Sequence, residues 1–456
     1  MKHGWRLAAR NLGRNRRRNL ATGASIALGF CGLVLIGGYA VRVERFLRTN
    51  TVYLQQVGHL AIYRDGGLER GVAQPARFAL SADDQRRITS VLGGTPEVEL
   101  VGRHLIGMGL AGNGCTTVPF SALGVEPEVQ ARVLAHPEVQ AASPELARPL
   151  RGELLARYPN VAGAAALSAG LAELLGKTRI HDELAASPPN GSAALAPDCA
   201  VRTGGARADV DANVQLAALT WAGTMSAVDV EVVNLFHTPL AETEDGTLVT
   251  SLATLQQLYA TDAVSYLSVY LRDARDAHRL AAALERAIDA AGVPVRVYPF
   301  DDERVGPYYA GTMPFLTSLV GFIGLLVAAV VVLSIVNAMT LSMLERTREL
   351  GMLRALGFSR GQVLGLCLRE ATLLAVMAVG VGLALALTIA TMINHSGARF
   401  SPPGVPGSIL FLLTPTPALC AALATLIVPL AAGAAWLAVR KKTRASVVGL
   451  LHEQVS

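Results

Sequence analysis

The side chains with the clearest capacity for an interaction form a charged cluster that follows a long uncharged run. No charged residue occurs between Arg304 and Glu345, and the chain then reads Glu-Arg-Thr-Arg-Glu-Leu-Gly. Glu345 and Glu349 are four positions apart, so a helix would present both carboxylates on one face. Gly357 can end that helix in the left-handed conformation that other residues resist. The pattern indicates either a helix that a partner binds through charge or a solvated loop with ordinary caps.

A second helix is predicted immediately after Gly357. Ser359 takes the N-cap position of a capping box, and Gln362 takes its N3 position. Phe358 and Val363 flank these two residues as a hydrophobic staple. The charged segment and the helix after it therefore predict a rigid helix–corner–helix unit.

Three other stretches are similar to catalytic or targeting motifs but lack the context that those motifs need. Five residues rather than four separate Gly170 from Gly176, so this stretch is not a phosphate-binding P-loop. Ser168 lies in a sequence like a hydrolase nucleophile elbow, but no His follows in a strand-end context, and a helix start capped by Ser168 is favoured. Residues 181–184 spell a retention signal that functions only at a C-terminus. The sequence therefore predicts no catalytic residue, no metal site and no enzymatic activity in this chain.

Four apolar stretches are long enough to cross a membrane, which takes about 20 residues. They are predicted at residues 21–42, 314–344, 371–393 and 417–439. The first could be a cleaved signal peptide, but its apolar run is longer than the 7–15 residues usual for a signal core. The sequence predicts a membrane protein with four transmembrane helices and a large segment between the first two.

The basic residues indicate how these helices are oriented. They precede the first span, follow the last and recur in residues 345–370, whereas residues 394–416 contain only Arg399. By the positive-inside rule, both termini and residues 345–370 are cytoplasmic, and residues 394–416 form a short periplasmic loop. Residues 1–20 are predicted as an interfacial helix, and residues 440–456 as a cytoplasmic tail. The net charge of +5 therefore reflects membrane orientation rather than nucleic-acid binding.

Residues 43–313 are predicted to form an α+β domain outside the membrane. Strand and helix patterns at its two ends, residues 43–115 and 225–300, can pair into one lobe close to the membrane. Residues from about 116 to 224 are rich in Ala, Pro and Gly and are expected to form a second, inserted lobe.

The five cysteines fall into two groups. Cys31, Cys367 and Cys420 lie within or beside the spans, where a thiol is usually a small apolar filler. Cys115 and Cys199 lie in the external segment, where a disulfide could persist. They are 84 positions apart, and the sequence leaves open whether they are bonded or free.

The charged segment resembles a motif of the FtsX/MacB/LolC-E family of ABC-transporter permeases, the type VII transporters. Residues 345–357, ERTRELGMLRALG, are similar to the family's ER-x-x-E-[IL]-G-x-L-[RK]-A-[LI]-G. The order of one span, a large domain and three further spans is similar too. Residues 168–176, 230–238 and 445–451 resemble shorter family stretches, although Asn234 replaces the usual Gly and residues 446–449 lack the usual Pro-Val-Glu-Ala.

The resemblance implies that residues 345–357 contact a cytoplasmic ATP-binding subunit. The positions that match the motif are Glu345, Arg346, Arg348, Glu349, Leu350, Leu353, Arg354 and Gly357. ATP and Mg²⁺ would then bind to a separate partner subunit, and this chain would hold no cofactor. The resemblance also implies a dimer of permeases, either two identical chains or two close paralogues, in a bacterial inner membrane.

The resemblance leaves two functions open. Two permeases could enclose a cavity between their first and second spans that takes an amphiphilic, lipoprotein-type cargo from the outer leaflet. Its expected lining is Ile36, Tyr39, Phe315, Leu319 and Phe322. Alternatively, nothing is transported, and the domain outside the membrane activates a hydrolase or drives a tripartite efflux pump through an adaptor. A periplasmic carrier, adaptor or hydrolase would be the corresponding partner.

Overall fold

The computed structural model describes residues 16–177, 179–186, 212–345, 352, 358–401, 404 and 407–442. The chain divides into two compact units. The membrane unit consists of Met1–Glu44, Met313–Ala398 and Leu410–Ser456, and the sheet unit consists of Arg45–Thr312 and Arg399–Ile409.

Four long helices carry the apolar stretches of the sequence. They are span 1 (Arg16–Thr49), span 2 (Pro307–Glu345), span 3 (Arg360–His395) and span 4 (Pro417–Lys442). Each is long and apolar enough to cross a membrane, which confirms the four predicted spans. Span 3 begins eleven residues before the predicted apolar start, because the capping box at Ser359 starts the helix there.

Small residues allow the spans of the membrane unit to approach one another closely. A Cβ atom on Gly382 of span 3 would lie 2.5 Å from the carbonyl oxygen of Ala27 in span 1. A Cβ atom on Gly29 of span 1 would lie 2.9 Å from Val327 of span 2. Such contacts are typical of helices that associate in lipid, where close backbone packing replaces the hydrophobic effect.

The sheet unit contains one ten-stranded mixed sheet. Its strands are β1 (Leu60–Arg64), β2 (Val98–Gly112), β3 (Thr117–Val125), β4 (Arg151–Gly152), β5 (Ala164–Ser168), β6 (Asn213–Leu219), β7 (Met225–Phe236), β8 (Thr247–Ser251), β9 (Tyr266–Leu271) and β10 (Val295–Pro299). They are ordered β10-β1-β9-β2-β3-β8-β5-β7-β4, and β6 pairs with β2 and β7. The short strands β11 (Arg399–Phe400) and β12 (Ile409–Leu410) pair with each other.

Ten helices of the described sheet unit accompany these strands. They are α1 (Gly67–Arg70), α2 (Pro75–Phe78), α3 (Ala82–Gly93), α4 (Pro127–Leu134), α5 (Pro137–Ala142), α6 (Pro144–Ala147), α7 (Ala169–Leu174), α8 (His181–Ala186), α9 (Leu252–Tyr259) and α10 (Ala277–Ala290). The capping box at Ser81 begins α3. Ile88 of α3 and Leu284 of α10 are buried in the same cluster as the strand residues Leu60 and Leu267. The predicted α+β architecture is therefore confirmed.

The sheet does not follow the expected division into two lobes. The predicted membrane-proximal lobe joins residues 225–300 to residues 43–115, and β9 and β10 do pair with β1. In contrast, β7 pairs in parallel with β5 of the expected insert, and β8 pairs with both β5 and β3. Alternating Val228, Val230 and Val232 specify a strand but carry no information about its partner, so the sequence pattern alone misassigned this half of the sheet.

Aromatic rings pack inside the sheet unit close in sequence to the end of span 1 and the start of span 2. Span 1 continues into a π-helical turn, Asn50–Leu54, whose first four residues are buried. The ring of Tyr53 stacks on His136 and Tyr270, at centroid distances of 4.7 and 5.8 Å. Residue Tyr309, in the first turn of span 2, contacts Phe300 at 5.1 Å. All five of these rings belong to the sheet unit.

Candidate functional site

The segment expected to bind an ATPase lies between spans 2 and 3. Glu345 is the last residue of span 2, and Met352 is helical. The remaining expected contact residues lie outside the described residues: Arg346, Arg348, Glu349, Leu350, Leu353, Arg354 and Gly357. Their arrangement stays a prediction.

The two helices that flank this segment pack against each other. Met339 and Met343 of span 2 share one buried cluster with Val363 and Cys367 of span 3. The Cys367 thiol lies 3.8 Å from the Met343 sulfur. The two ends of the segment are therefore attached to helices that pack against each other, which limits how far these ends can separate.

The predicted capping box at the start of span 3 is present. The backbone N–H of Gln362 donates to Ser359 Oγ at 3.2 Å, and the backbone N–H of Ser359 donates to Gln362 Oε1 at 2.8 Å. Phe358, just before the cap, is 46% exposed, and Met352 is 58% exposed. One large apolar side chain within the charged segment and one directly after it are suited to a partner surface rather than to solvent.

A buried carboxylate lies in span 3, at a position predicted to belong to the cytoplasmic residues 345–370. Glu370 is buried in the same helix as the buried residues Cys367, Ala371 and Leu374. Ionisable groups inside spanning helices are rare and usually functional. The signal was available in the sequence, since positions 367, 371 and 374 follow the helical period and place residue 370 on the same side.

The expected cargo residues do not line one cavity within a single chain. Phe315, Leu319 and Phe322 are 69%, 42% and 60% exposed, whereas Ile36 and Tyr39 are half-buried. Span 2 packs in the membrane unit through a different face, which includes Ile323, Val327 and Val331. The exposed stripe continues along span 2 through Leu326, Val330 and Leu333. A cavity between two permeases would need a second chain, so the cargo site stays a prediction.

The cysteines follow the predicted grouping as far as they are described. Cys31 and Cys367 are free and buried, and Cys420 is free and half-buried. Cys115 is disulfide-bonded, and Asn113 Oδ1 accepts hydrogen bonds from the N–H groups of Cys115 and Thr116. Cys199, the other external cysteine, lies outside the described residues.

Ser168 is an internal structural hydroxyl. It ends β5 and directly precedes α7. Its side chain is fully buried, and its hydroxyl donates to the carbonyl oxygen of Thr247 at 2.9 Å. Ser168 occupies the predicted N-cap position, but its side chain does not cap the helix. Within the described residues, no group of three or more His, Cys, Asp or Glu side chains could hold a metal ion.

A family model matches the C-terminal part of the chain. Residues 321–446 match the FtsX-like permease C-terminal family, a range that begins in span 2 and ends beyond span 4. The macrolide export ATP-binding/permease protein MacB of Neisseria meningitidis serogroup A is 36% identical over 85 residues, 19% of this chain and 13% of that protein. MacB of Agrobacterium fabrum is 27% identical over 147 residues, 32% of this chain and 23% of that protein. The chain thus spans a small part of the length of these relatives.

Two solved structures resemble the chain weakly. The extracellular domain of the noncanonic ABC-type transporter YknZ from Gram-positive bacteria covers 52% of this chain and 98% of its own, with 15% identity and a TM-score of 0.31. The match to the periplasmic region of MacB from Actinobacillus actinomycetemcomitans covers 53% of this chain and 88% of that structure's chain, with 9% identity and a TM-score of 0.32. TM-scores this low carry no argument about function. The C-terminal part of this chain is therefore similar to the FtsX-like permease C-terminal family and to MacB, and the chain has four helices long and apolar enough to cross a membrane.

Proposed function

We propose that this chain is the membrane-spanning subunit of an ABC transporter that couples ATP hydrolysis by a separate cytoplasmic subunit to movements of the sheet unit in the periplasm. The observation that carries the proposal is the continuity of span 2. It is a single helix of 39 residues from Pro307 to Glu345. Its first residues belong to the sheet unit, and its last residue adjoins the segment that resembles the family's ATPase contact. Its internal proline, Pro314, is close to the sheet unit, so the remainder can transmit force without a kink.

The coupling segment is residues 345–357, with ATP and Mg²⁺ bound by the partner subunit. The exposed side chains of Met352 and Phe358 support a docking role, because buried apolar contacts and matched charges together fix how two subunits dock. Because spans 2 and 3 pack against each other where they adjoin this segment, a displacement of the segment would move both helices.

Charge reversal tests the coupling role. Glu349→Arg, or Leu353→Pro, is expected to abolish the ATP turnover that the permease stimulates in a co-purified complex, because the helix loses its charge match or its continuity. Glu303→Arg, at an exposed carboxylate of the sheet unit, is the matched control and is expected to retain turnover. Normal turnover in both coupling variants, with the permease present in the membrane, would rule out this role.

The favoured cargo is a lipoprotein-type or other amphiphilic molecule in the outer leaflet. Span 2 exposes an unbroken apolar stripe that includes Phe315, Phe322 and Leu333. A second permease copy, identical or paralogous, would face this stripe and enclose the acyl part of a cargo between the two chains. The partner in the periplasm would then be a carrier that accepts the cargo.

Mechanotransmission without transport is the second candidate function. It is favoured by ring stacking inside the sheet unit, where Tyr53 packs on His136 and Tyr270, because a rigid domain suits the transfer of motion to a hydrolase or an efflux adaptor. Mass spectrometry of proteins and lipids that co-purify with the tagged chain separates the two candidates. Enrichment of acylated proteins supports release of cargo, whereas enrichment of a hydrolase or adaptor without acylated cargo supports mechanotransmission.

A further inference from the structure

A concave cleft of about 680 Å³ lies in the sheet unit. Its floor is one face of β2, where Ile106, Met108 and Leu110 alternate with glycines. One wall is the segment that carries α1 and α2, and the other is the tip of the β6–β7 hairpin, which contributes Trp221. The volume is within the range of about 300–1,000 Å³ of sites that hold small molecules.

The lining of the cleft is apolar and open to solvent. Large apolar side chains on its floor and on both walls are exposed: Val72 by 56%, Met108 by 56%, Leu219 by 60% and Met225 by 70%. No Asp, Glu, Lys, Arg or His side chain lines it. Exposed apolar side chains that converge on one concave surface mark a binding site more often than scattered ones do. Methionines also adapt their shape to an apolar ligand.

Two polar side chains of the lining already form hydrogen bonds within the protein. The Tyr259 hydroxyl donates to the carbonyl oxygen of Met108 at 2.8 Å. Ser265 Oγ accepts from the backbone N–H of Ile106 at 2.9 Å. A ligand would therefore gain mainly from burial of apolar surface, which contributes about 0.8 kcal/mol for each methylene group removed from water.

Two guanidinium groups lie at the edge of the cleft. The Cζ atoms of Arg70 and Arg77 lie 4.9 and 5.4 Å from the ring centroid of Phe78, a residue of the cleft wall. Neither arginine forms an ion pair with any described residue. The nearby carboxylates are engaged elsewhere: Asp65 pairs with Arg296 at 3.2 Å, and Glu69 lies 3.9 Å from Arg304. The edge of an uncharged cleft thus carries two cations available to an anion.

We propose that this cleft binds one acyl chain of an anionic amphiphile, with the chain along Met108 and Leu219 and the carboxylate or phosphate at Arg70 and Arg77. The apolar lining selects a hydrocarbon, and the two cations at the edge select its negative end. The proposal does not depend on the transport cycle, since binding requires no ATPase and the cleft lies in the sheet unit alone.

Photolabelling of the full-length chain in lipid nanodiscs tests the proposal. The probes are a long-chain fatty acid and a lysophosphatidylglycerol, each with a diazirine in the acyl chain, and peptide mass spectrometry locates the labels. Labelling of residues 104–112 and 217–225 is expected with at least one probe, and the stronger probe identifies the source of the anion. Labels confined to the spans with both probes, or a co-purified peptide found in the cleft, would overturn the proposal.

Variants of the lining separate specific from general labelling. Leu219→Asp places a charge in the cleft and is expected to reduce cleft labelling about tenfold, and Met225→Asp is a second variant with the same expectation. Leu174→Asp, at a leucine that is 49% exposed elsewhere on the sheet unit, is the control and is expected to leave cleft labelling unchanged. Labelling of the spans serves as the internal reference. Equal cleft labelling in all three variants would contradict the proposal.

Variants of the edge test the anion. The double variant Arg70→Gln/Arg77→Gln is expected to reduce labelling by the fatty acid about fivefold and to leave labelling by its uncharged methyl ester unchanged. Acid and ester labelling that fall together, or that both persist, would overturn the assignment of Arg70 and Arg77 to the headgroup.

Discussion

Burial holds two histidines of the sheet unit in their neutral form. His104 is buried, its Nε2 lies 2.7 Å from Ser268 Oγ, and its ring stacks on Tyr266 at 4.7 Å. Desolvation lowers the pKa of His104 to about 3. Desolvation, with smaller contributions from neighbouring charges, lowers the pKa of His59 to about 4. His59 Nδ1 accepts from the backbone N–H of Leu271, a hydrogen bond that protonation would break. Both rings therefore have structural roles.

The stability of the fold is expected to fall as the pH drops below about 6.5, the ordinary histidine value. Between that pH and the lowered pKa values, the unfolded chain binds protons that the folded chain does not. Each histidine then lowers the free energy of unfolding by up to about 1.4 kcal/mol for each unit by which the pH falls. Thermal unfolding of the full-length protein at pH 7.5, 5.5 and 4.5 measures this slope. His104→Gln is expected to flatten it, and an unchanged slope in that variant would contradict the assignment.

At the scale of elements, the spans are held by close approaches that depend on single glycines. The Cβ position of Gly382 faces a backbone carbonyl oxygen, which cannot rotate away as a side chain can. Gly380 lies one helical half-turn away in the same span, and a Cβ atom there would meet nothing within 4 Å. Substitutions at Gly382 and Gly380 therefore distinguish the effect of lost packing between helices from the effect of replacing a glycine in a helix.

Gly382→Val is expected to force spans 1 and 3 apart and to cost roughly 1–3 kcal/mol, the usual magnitude for overpacking. Gly380→Val is the matched control and is expected to leave the unfolding temperature in detergent unchanged or slightly raised, because valine replaces a flexible residue. Equal destabilisation by both substitutions would show that contact with Ala27 does not determine the effect.

At the scale of the whole molecule, the charges of the chain predict its orientation in the membrane. Arg440 stacks over Trp436 at 4.5 Å near the end of span 4, an anchor suited to a membrane interface. The segment between spans 2 and 3 is arginine-rich, whereas the loop between spans 3 and 4 contains Arg399 alone. Arg399 forms an ion pair with Glu145 at 2.8 Å within the sheet unit.

Both termini and the coupling segment are expected to be cytoplasmic, with the sheet unit in the periplasm. Single cysteines introduced at the exposed positions Glu303 and Met352 test this orientation in intact cells. A membrane-impermeant thiol reagent is expected to label the first and not the second, because the two positions lie on opposite sides of the membrane. Labelling of position 352 from outside would reverse the proposed topology.

Local features of this protein were determined by the sequence alone. The four spans follow from the length of apolar runs, since lipid tolerates few charges over about 20 residues. The capping boxes at Ser81 and Ser359 follow from residues three positions apart, because a side chain there can reach the backbone of the same turn. The α+β class of the large domain follows from the periods of its apolar residues.

Only the tertiary structure decided which distant residues meet. The pairing of β7 with β5 brings together strands separated by 57 positions between Ser168 and Met225, and alternation of valines specifies no partner. The burial of Ser168 depends on neighbours that are distant in the sequence, since its hydroxyl donates to the carbonyl oxygen of Thr247. The apolar cleft joins residues from β2, two short helices and a hairpin tip. Such sites form when chain segments pack in three dimensions, because local periodicity fixes which face of an element is apolar but not what that face will contact.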